Sequence, residues 1–183
     1  MWGCEVGDGG LPSQTRAGVE GLLPLLHLGS QPPFAALRMA TFRGTFDYTL
    51  DAKNRLTVPA RFRAALAEGV VMAKGTEPCV ALWTPEAYDA YTESILSGYN
   101  PLSEEADKIQ RFFAANSHDT ELDSAGRVGF PAFLLEHAGL KKDVVVTGSR
   151  NRLEVWDRKA WADYNESLIA DVKDIRGRLS HAG

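Results

Sequence analysis

Cysteine is nearly missing from this chain. Cys4 and Cys79 are the two that it holds. Neither has a CxxC partner or a histidine at metal-ligand spacing, which excludes a zinc site and a disulfide framework. A reduced, cytoplasmic protein fits that count. Long apolar runs are missing as well. The stretch LLPLLHL (22–28) is broken by Pro24 and His27 and falls far short of the ~20 residues that a membrane span needs. Ahead of it stand Glu5 and Asp8 and a single basic residue, Arg16, a poor basis for a signal peptide. Neither export nor a membrane partner is expected. An excess of positive charge is also lacking: 20 Lys and Arg stand against 24 Asp and Glu, for a net charge of −4. That balance argues mildly against a nucleic-acid binder, but DNA responds to the local field, so the distribution decides.

Catalytic signatures are absent too. Cys79, His118 and His137 are the candidates for Cys/His chemistry. Cys79 opens an apolar strand pattern and is expected to be a small core residue. His118 precedes a strand, His137 sits late in a short helix, and no motif connects the three. No enzymatic activity, cofactor, metal or small-molecule substrate is expected.

What the chain does have is a globular balance, with 44% apolar and 24% charged residues. Residues 1–38 stand apart. They are rich in Gly, Pro and Leu and show neither strand alternation nor helical periodicity. We expect them to be a disordered or misassigned N-terminal extension, with Met39 as the true start.

From Phe42 a pattern sets in. FDYTLD (46–51) and RLTVP (55–59) alternate apolar and polar residues around a polar AKN, which reads as a β-hairpin. Pro59 opens ARFRAALAE, a short helix with Phe62, Ala65 and Leu66 on one face, and Gly69 is placed to stop it. VVMAK (70–74) and CVALW (79–83) read as strands. Thr84 as N-cap and Pro85 at the first helical position open PEAYDAYTESIL. Residues 103–117 form a further helix with Ile109, Phe112 and Phe113 as its apolar stripe.

Then the pattern returns. LDAKNRLTVPARF (50–62) reappears as LDSAGRVGFPAFL (122–134), an offset of 72 residues. VVMAKG (70–75) answers to VVVTGS (144–149), and TPEAYDAY (84–91) to DRKAWADY (157–164), offset by 73, with Thr84 and Asp157 as matched N-caps. Order, spacing and cap repeat together, which marks an internal duplication of a β-β-α-β-β-α unit. The predicted organisation is repeat 1 over 45–91, an inter-repeat helix at 103–117, repeat 2 over 118–164, and a C-terminal helix and tail at 165–183. That last helix carries Leu168, Ile169, Val172 and Ile175 on one side, to pack on its own barrel or on a neighbouring subunit. One unit is too small to bury its own strands well; two can share a closed barrel, which removes sheet edges.

Each copy holds Asp, three residues, then Arg: Asp51 to Arg55, and Asp123 to Arg127. Asn54 and Gly126 occupy the place before the arginine, and both tolerate positive φ. The loop is therefore expected to need a left-handed residue there. The aspartate can accept bonds from loop amides and pair with the arginine. A lone D-x-x-x-R is most often a turn with a surface salt bridge; duplication, hairpin setting and the proline four residues beyond each arginine make this one informative.

At these residues the chain resembles a known family. MATFRGTFDYTLDAKNRLTVPARFR (39–63) is similar to the N-terminus of MraZ proteins, LDSAGRVGFPAFLLEHAGL (122–140) to their second repeat, and LEVWDRKAWADY (153–164) to their closing segment. The similarity covers about residues 39–180. It implies an α+β fold of two AbrB-like repeats forming one swapped-hairpin, double-split barrel with flanking helices. It implies a ring-like homo-oligomer on the nucleoid, and a sequence-specific regulator, expected to be an autorepressor, of the division and cell wall gene cluster. Its partner would be double-stranded DNA, read at G-rich direct repeats upstream of a cluster that begins with the regulator's own gene. The family's D-x-x-x-R arginine falls on Arg55 and its early arginine on Arg43.

Charge divides the copies unequally. In 39–63, Arg43, Lys53, Arg55, Arg61 and Arg63 oppose Asp47 and Asp51, a net of +3; the matching window 111–135 comes to −1. A phosphate backbone should prefer the first copy. Arg43, Lys53, Asn54, Arg55, Arg61 and Arg63 are therefore the expected DNA-binding residues, with Lys53 and Arg55 at a loop tip best placed to reach a groove. Asp51, Asp123, Gly126 and Arg127 are expected to structure the loops. The competing reading is an AbrB-like antitoxin or protein-interaction module. Such proteins carry one hairpin and a disordered tail, so two full copies with added helices fit it poorly.

The extension allows one expectation at the level of codons. Val6-Gly7 can be encoded GTG-GGN and Gly9-Gly10 GGT-GGG, which places TGGG cores at nucleotides 17 and 27 counted from the Met1 codon. That separation is about one turn of B-DNA, so neighbouring subunits would meet the same face. Trp2-Gly3 also forces TGGGG, but out of that register. On this expectation residues 1–38 are operator DNA read as protein. Sequencing of the gene checks it: other Val or Gly codons at these positions remove it.

Overall fold

The computed structural model describes residues 41–180; the extension over 1–38 and Met39 lie outside them. The elements run β1 (Thr45–Thr49), β2 (Arg55–Thr57), α1 (Ala60–Arg63), β3 (Val70–Lys74), β4 (Cys79–Trp83), α2 (Pro85–Leu96), α3 (Glu104–Ala115), β5 (Ser117–Thr120), β6 (Arg127–Gly129), α4 (Ala132–Ala138), β7 (Asp143–Ser149), β8 (Arg152–Asp157) and α5 (Arg158–Ser180). The protein is α+β with antiparallel sheets.

Local chemistry sets most of these boundaries. The Thr84 hydroxyl accepts from the Ala87 amide at 3.1 Å and Ser103 does the same for Ala106. The Asp157 carboxylate accepts from the amides of Lys159 and Ala160. Each satisfies donors that the first helical turn leaves open. α1 is shorter than its sequence pattern: after Arg63 the backbone tightens into a 3-10 turn, Ala64–Leu66. Phe62 and Leu66 are buried there, but Ala65 is exposed and not on the buried face. Phe112 likewise leaves the expected stripe of α3 and is exposed. α5 is one helix across residue 165, so the second helix of repeat 2 and the C-terminal helix are continuous.

Strand pairing differs from the predicted hairpins. β1 and β2 meet through a single bridge, Leu50 to Leu56. β1 instead pairs with β7, Phe46 opposite Val146, and β2 pairs with β6, Leu56 opposite Val128. β5 of the second copy pairs with β3 of the first. The result is a six-stranded sheet in the order β1-β7-β8-β4-β3-β5 and a two-stranded sheet β2-β6. The physical reason is the duplication. Each copy offers strands equivalent to those of the other, and crossing over lets each copy's first strand cover an edge that the other exposes. The approach is closest at Gly148, whose amide donates to the Gly44 carbonyl at 2.9 Å. A Cβ at Gly148 would run into the main chain of Phe42 and Arg43.

The core follows from this exchange. Leu56, Val58, Met72, Val80 and Leu82 of the first copy pack with Val128, Leu134, Val144, Val146, Leu153 and Val155 of the second, all essentially without solvent exposure. The other face of the sheet buries Val71, Ala73, Ala81 and Trp83 beneath α2. β3 and β4 are thus covered on both faces, which is why VVMAK and CVALW read as continuous apolar runs.

Candidate nucleic-acid interface

The two D-x-x-x-R loops are built alike, atom for atom. Asn54 holds φ 55° and Gly126 φ 73°. The Asp51 amide donates to the Arg55 carbonyl at 3.0 Å, and the Asn54 amide returns to the Asp51 carbonyl at 2.9 Å. Asp123 with Arg127 and Gly126 repeats both bonds, at 2.9 and 2.8 Å. Asp51 Oδ1 accepts from the amides of Lys53 (2.8 Å) and Arg55 (3.0 Å), while its Oδ2 accepts from Arg55 Nε at 2.8 Å. Asp123 accepts in the same way from Ala125, Arg127 and the Arg127 side chain. The left-handed residue turns the chain so that one carboxylate can bind two amides and a guanidinium at once.

These contacts set the electrostatics. The hydrogen bond from the Arg55 side chain, then that from its amide, holds the Asp51 carboxyl down at about 2, against an ordinary 3.8. The same bond to Asp51 raises Arg55. At Asp123 burial works against ionisation, but the bonds from the Arg127 amide and side chain outweigh it and the carboxyl is lowered. A depressed carboxyl contributes order in full above its ordinary value and loses it as pH falls through its folded value. We therefore expect the Lys53 and Arg55 amide resonances to titrate with a midpoint near 2. A midpoint near 3.8, the ordinary value, would show that the clamp is not formed.

Cross-repeat pairing then sets the loops side by side. The Val58 amide donates to the Gly126 carbonyl at 2.9 Å, and the Phe130 amide to the Asn54 carbonyl at 3.0 Å. Arg55 Nη2 pairs with Asp51 at 2.7 Å while Nη1 faces Asp123 of the other copy at 3.8 Å. The two clamps are therefore joined in one surface cluster of two arginines and two aspartates. Sequence reasoning did not find the bond between Arg55 and Asp123, because the partners lie 68 residues apart.

The other predicted DNA-binding residues divide. Lys53 and Asn54 are exposed at the loop tip. Arg63 lies against the second loop: its Nε donates to the Val58 carbonyl at 2.8 Å, and a Cβ at Gly126 would meet that Nε at 2.5 Å. Gly126 is thus required twice, for its φ and for the arginine that crosses it. Arg61 is exposed, its guanidinium 5.1 Å from the Phe62 ring centroid and 5.8 Å from that of Phe46. Arg43 is exposed but precedes β1, whereas the loop follows it, a separation on the order of 25 Å along an extended strand. The structure does not bring Arg43 to the loops. At the positions matching Lys53, Arg61 and Arg63, the second copy has Ala125, Phe133 and Leu135. Of these three cations, Lys53 and Arg63 stand at the paired loops, while Arg61 lies over the Phe46 and Phe62 rings.

Cys79 is buried, and burial pushes its thiol up to about 12, so it is no nucleophile near neutral pH. His137 Nε2 lies 3.1 Å from the Gly75 carbonyl oxygen. Among the described residues no group of three or more His, Cys, Asp or Glu could hold a metal ion, and no helix is long and apolar enough to cross a membrane.

Comparison with known proteins agrees with the duplication. The family profile described as "MraZ protein, putative antitoxin-like" matches twice, over residues 41–112 and 113–178. A protein named "Transcriptional regulator MraZ" from Heliobacterium modesticaldum is 36% identical over 138 residues, covering 75% of this chain and 96% of the relative. Proteins of the same name from Salinispora tropica (38% over 137 residues, 73% and 95% covered) and Symbiobacterium thermophilum (37% over 136 residues, 74% and 98% covered) are similar to the same extent. With both copies matched and the relatives covered almost end to end, this chain belongs to the MraZ family.

Proposed function

We propose that this protein is a sequence-specific DNA-binding transcriptional regulator, an autorepressor of the division and cell wall gene cluster. It acts in the cytoplasm on the nucleoid and binds G-rich direct repeats through the paired D-x-x-x-R loops of a ring-like homo-oligomer. The observation that carries this reading is the joined pair of loops, with exposed Lys53 and Asn54 at one tip and Arg63 braced across the other loop. A rigid, locally basic head can hold polar groups at fixed spacing against a groove. The exchange of β1 and β5 between copies supports a swapped-hairpin, double-split barrel as the scaffold. One head of modest charge binds weakly; several in one assembly gain through effective concentration. The names of the relatives support a role in transcription.

The antitoxin-like wording of the family description keeps a protein partner as the second reading. A mobility-shift assay on the DNA upstream of the gene separates the two, since an interaction module should show no preference for that DNA.

Roles within the head are separable by salt. Asp51→Ala should lower affinity by loosening the turn while leaving the salt dependence of binding nearly unchanged. Lys53→Ala should lower the salt slope by about 1 per engaged subunit through loss of a phosphate contact. Salt titrations giving the reverse order would overturn this division.

A further inference from the structure

The duplication supplies a template for a buried hydrogen-bond donor. In the first copy Trp83 stacks on Tyr91, with centroids 4.8 Å apart, and meets Tyr88 edge-on at 6.0 Å. In the second copy Trp156 stacks on Tyr164 at 4.7 Å and meets Trp161 edge-on at 5.5 Å. The interplanar angles agree as well, 24° and 66° against 27° and 61°. The three positions correspond one to one at the 73-residue offset, so the two indoles hold matching poses.

Their N–H groups are treated differently. Trp156 Nε1 donates to Glu154 Oε2 at 3.3 Å, and Arg152 Nε donates to the other oxygen of that carboxylate at 2.9 Å. The residue that matches Glu154 in the first copy is Ala81. Trp83 is 2% exposed, and among the described residues nothing accepts from its Nε1. A buried donor without an acceptor costs free energy that native structures seldom leave uncompensated. The second copy shows which group would satisfy it: a carboxylate over Ala81.

A cavity of about 480 Å³ opens at that place. Ala73, Ala81 and Trp83 of the sheet line it, together with Tyr88, Tyr91 and Phe113 from α2 and α3. The size suits a small organic molecule, and the aromatic walls suit a planar one. The polar part of the lining is basic: Lys74, Arg152 and His137 contribute to it, and no acidic residue does. Arg152 is paired with Glu154 at 2.8 Å, with its guanidinium 5.0 Å from the Trp83 ring centroid. The Lys74 ammonium rests over the Phe133 ring, at 5.9 Å, rather than on a carboxylate. Glu154 stands opposite Ala81 in the strand register, but its oxygens are taken by Arg152 and Trp156 and it does not line the cavity. The second copy cannot repeat the site, since Gly148 stands where the first has Lys74 and Glu154 itself fills the place over the strand.

We propose that this cavity binds a small aromatic carboxylate. The carboxylate lies over Ala81, accepts from Trp83 Nε1 and faces the Lys74 ammonium, and the ring lies against Tyr88, Tyr91 and Phe113. The ligand thereby supplies to the first copy the acceptor that Glu154 supplies to the second. A charged acceptor makes the stronger bond to the indole, and Lys74 offsets its charge where water is largely excluded. The site lies apart from the D-x-x-x-R loops and does not depend on their reading as a DNA contact.

Titration of the full chain, labelled with nitrogen-15 at its tryptophans, with naphthoate and with its uncharged counterpart naphthamide tests this by the assigned indole N–H resonances. Naphthoate is expected to move the Trp83 resonance downfield and saturably while leaving that of Trp156, already bonded to Glu154, in place. Naphthamide should bind about tenfold more weakly or worse, for want of the charge. Ala81→Gln, which brings an acceptor into the same place, should weaken naphthoate by a similar factor. Should that variant fail to fold by circular dichroism, Lys74→Met serves in its stead and should erase the preference for naphthoate over naphthamide. A Trp83 resonance that naphthoate leaves unmoved up to its solubility limit overturns the site. Equal binding of naphthamide overturns the anionic class of the ligand, and undiminished binding to a folded Ala81→Gln chain overturns the placement over Ala81.

Discussion

Arg55→Ala is expected to abolish specific operator binding while leaving the fold and the assembly intact. The Arg55 side chain is 31% exposed and contributes nothing to the apolar core, so its loss leaves no cavity. Its guanidinium is held from two sides, by Asp51 and by Asp123 of the other copy. An arginine fixed in this way is aimed before it meets DNA, and less side-chain entropy is lost when its donors engage guanine O6 and N7. Loss of such a contact costs roughly 1–3 kcal/mol in each engaged subunit. Summed over a multivalent assembly, that removes discrimination between operator and random DNA. Arg127→Ala should cost less, although Arg127 sits in an equivalent clamp, because Ala125, Phe133 and Leu135 stand where the first copy has Lys53, Arg61 and Arg63. Anisotropy titrations on operator DNA check both variants; equal losses would refute the assignment of the DNA face to the first copy.

The second large effect concerns folding. A chain limited to residues 41–112 is expected not to fold as a monomer. Severing the copies removes β7 from β1, β6 from β2, β5 from β3 and β8 from β4, which leaves β3 with β4 as the sole strand pair. An isolated two-stranded unit is marginal in water at best. Leu56 and Val58, fully buried in the whole chain, would face solvent in place of the second copy. Mixing this piece with residues 113–178 should restore the helical and strand signal in circular dichroism. Any structure that the first piece gains alone should depend on its concentration, since an equivalent copy can supply the missing strands. A piece that melts cooperatively as a monomer would show that the exchange of strands is not what holds the fold.

These expectations separate what local chemistry encodes from what it does not. The caps at Thr84 and Asp157, the strands VVMAK and CVALW, and the αL positions at Asn54 and Gly126 were legible because each depends on a few neighbouring residues. The clamp of Asp51 on Arg55 was legible for the same reason. Partner choice was not. β1 can pair with the strand beyond its own loop or with an equivalent one far along the chain, and alternation has the same period in both cases. The duplication that made the repeat visible also made its pairing ambiguous. The packing of Arg63 over Gly126 was not legible either, since it arises only once the copies interlock. Arg43 was placed among the DNA-binding residues by charge and by family resemblance, and its position ahead of β1, away from the loop that follows that strand, was not legible from either.

The central claim is that the paired loops read a DNA sequence. It is tested most directly by the affinity of the full chain for the G-rich DNA upstream of its gene, against the same bases in scrambled order at physiological salt. Specific binding at least ~10³-fold tighter than to the scrambled duplex is the predicted result. Equal affinity for the two duplexes would contradict it.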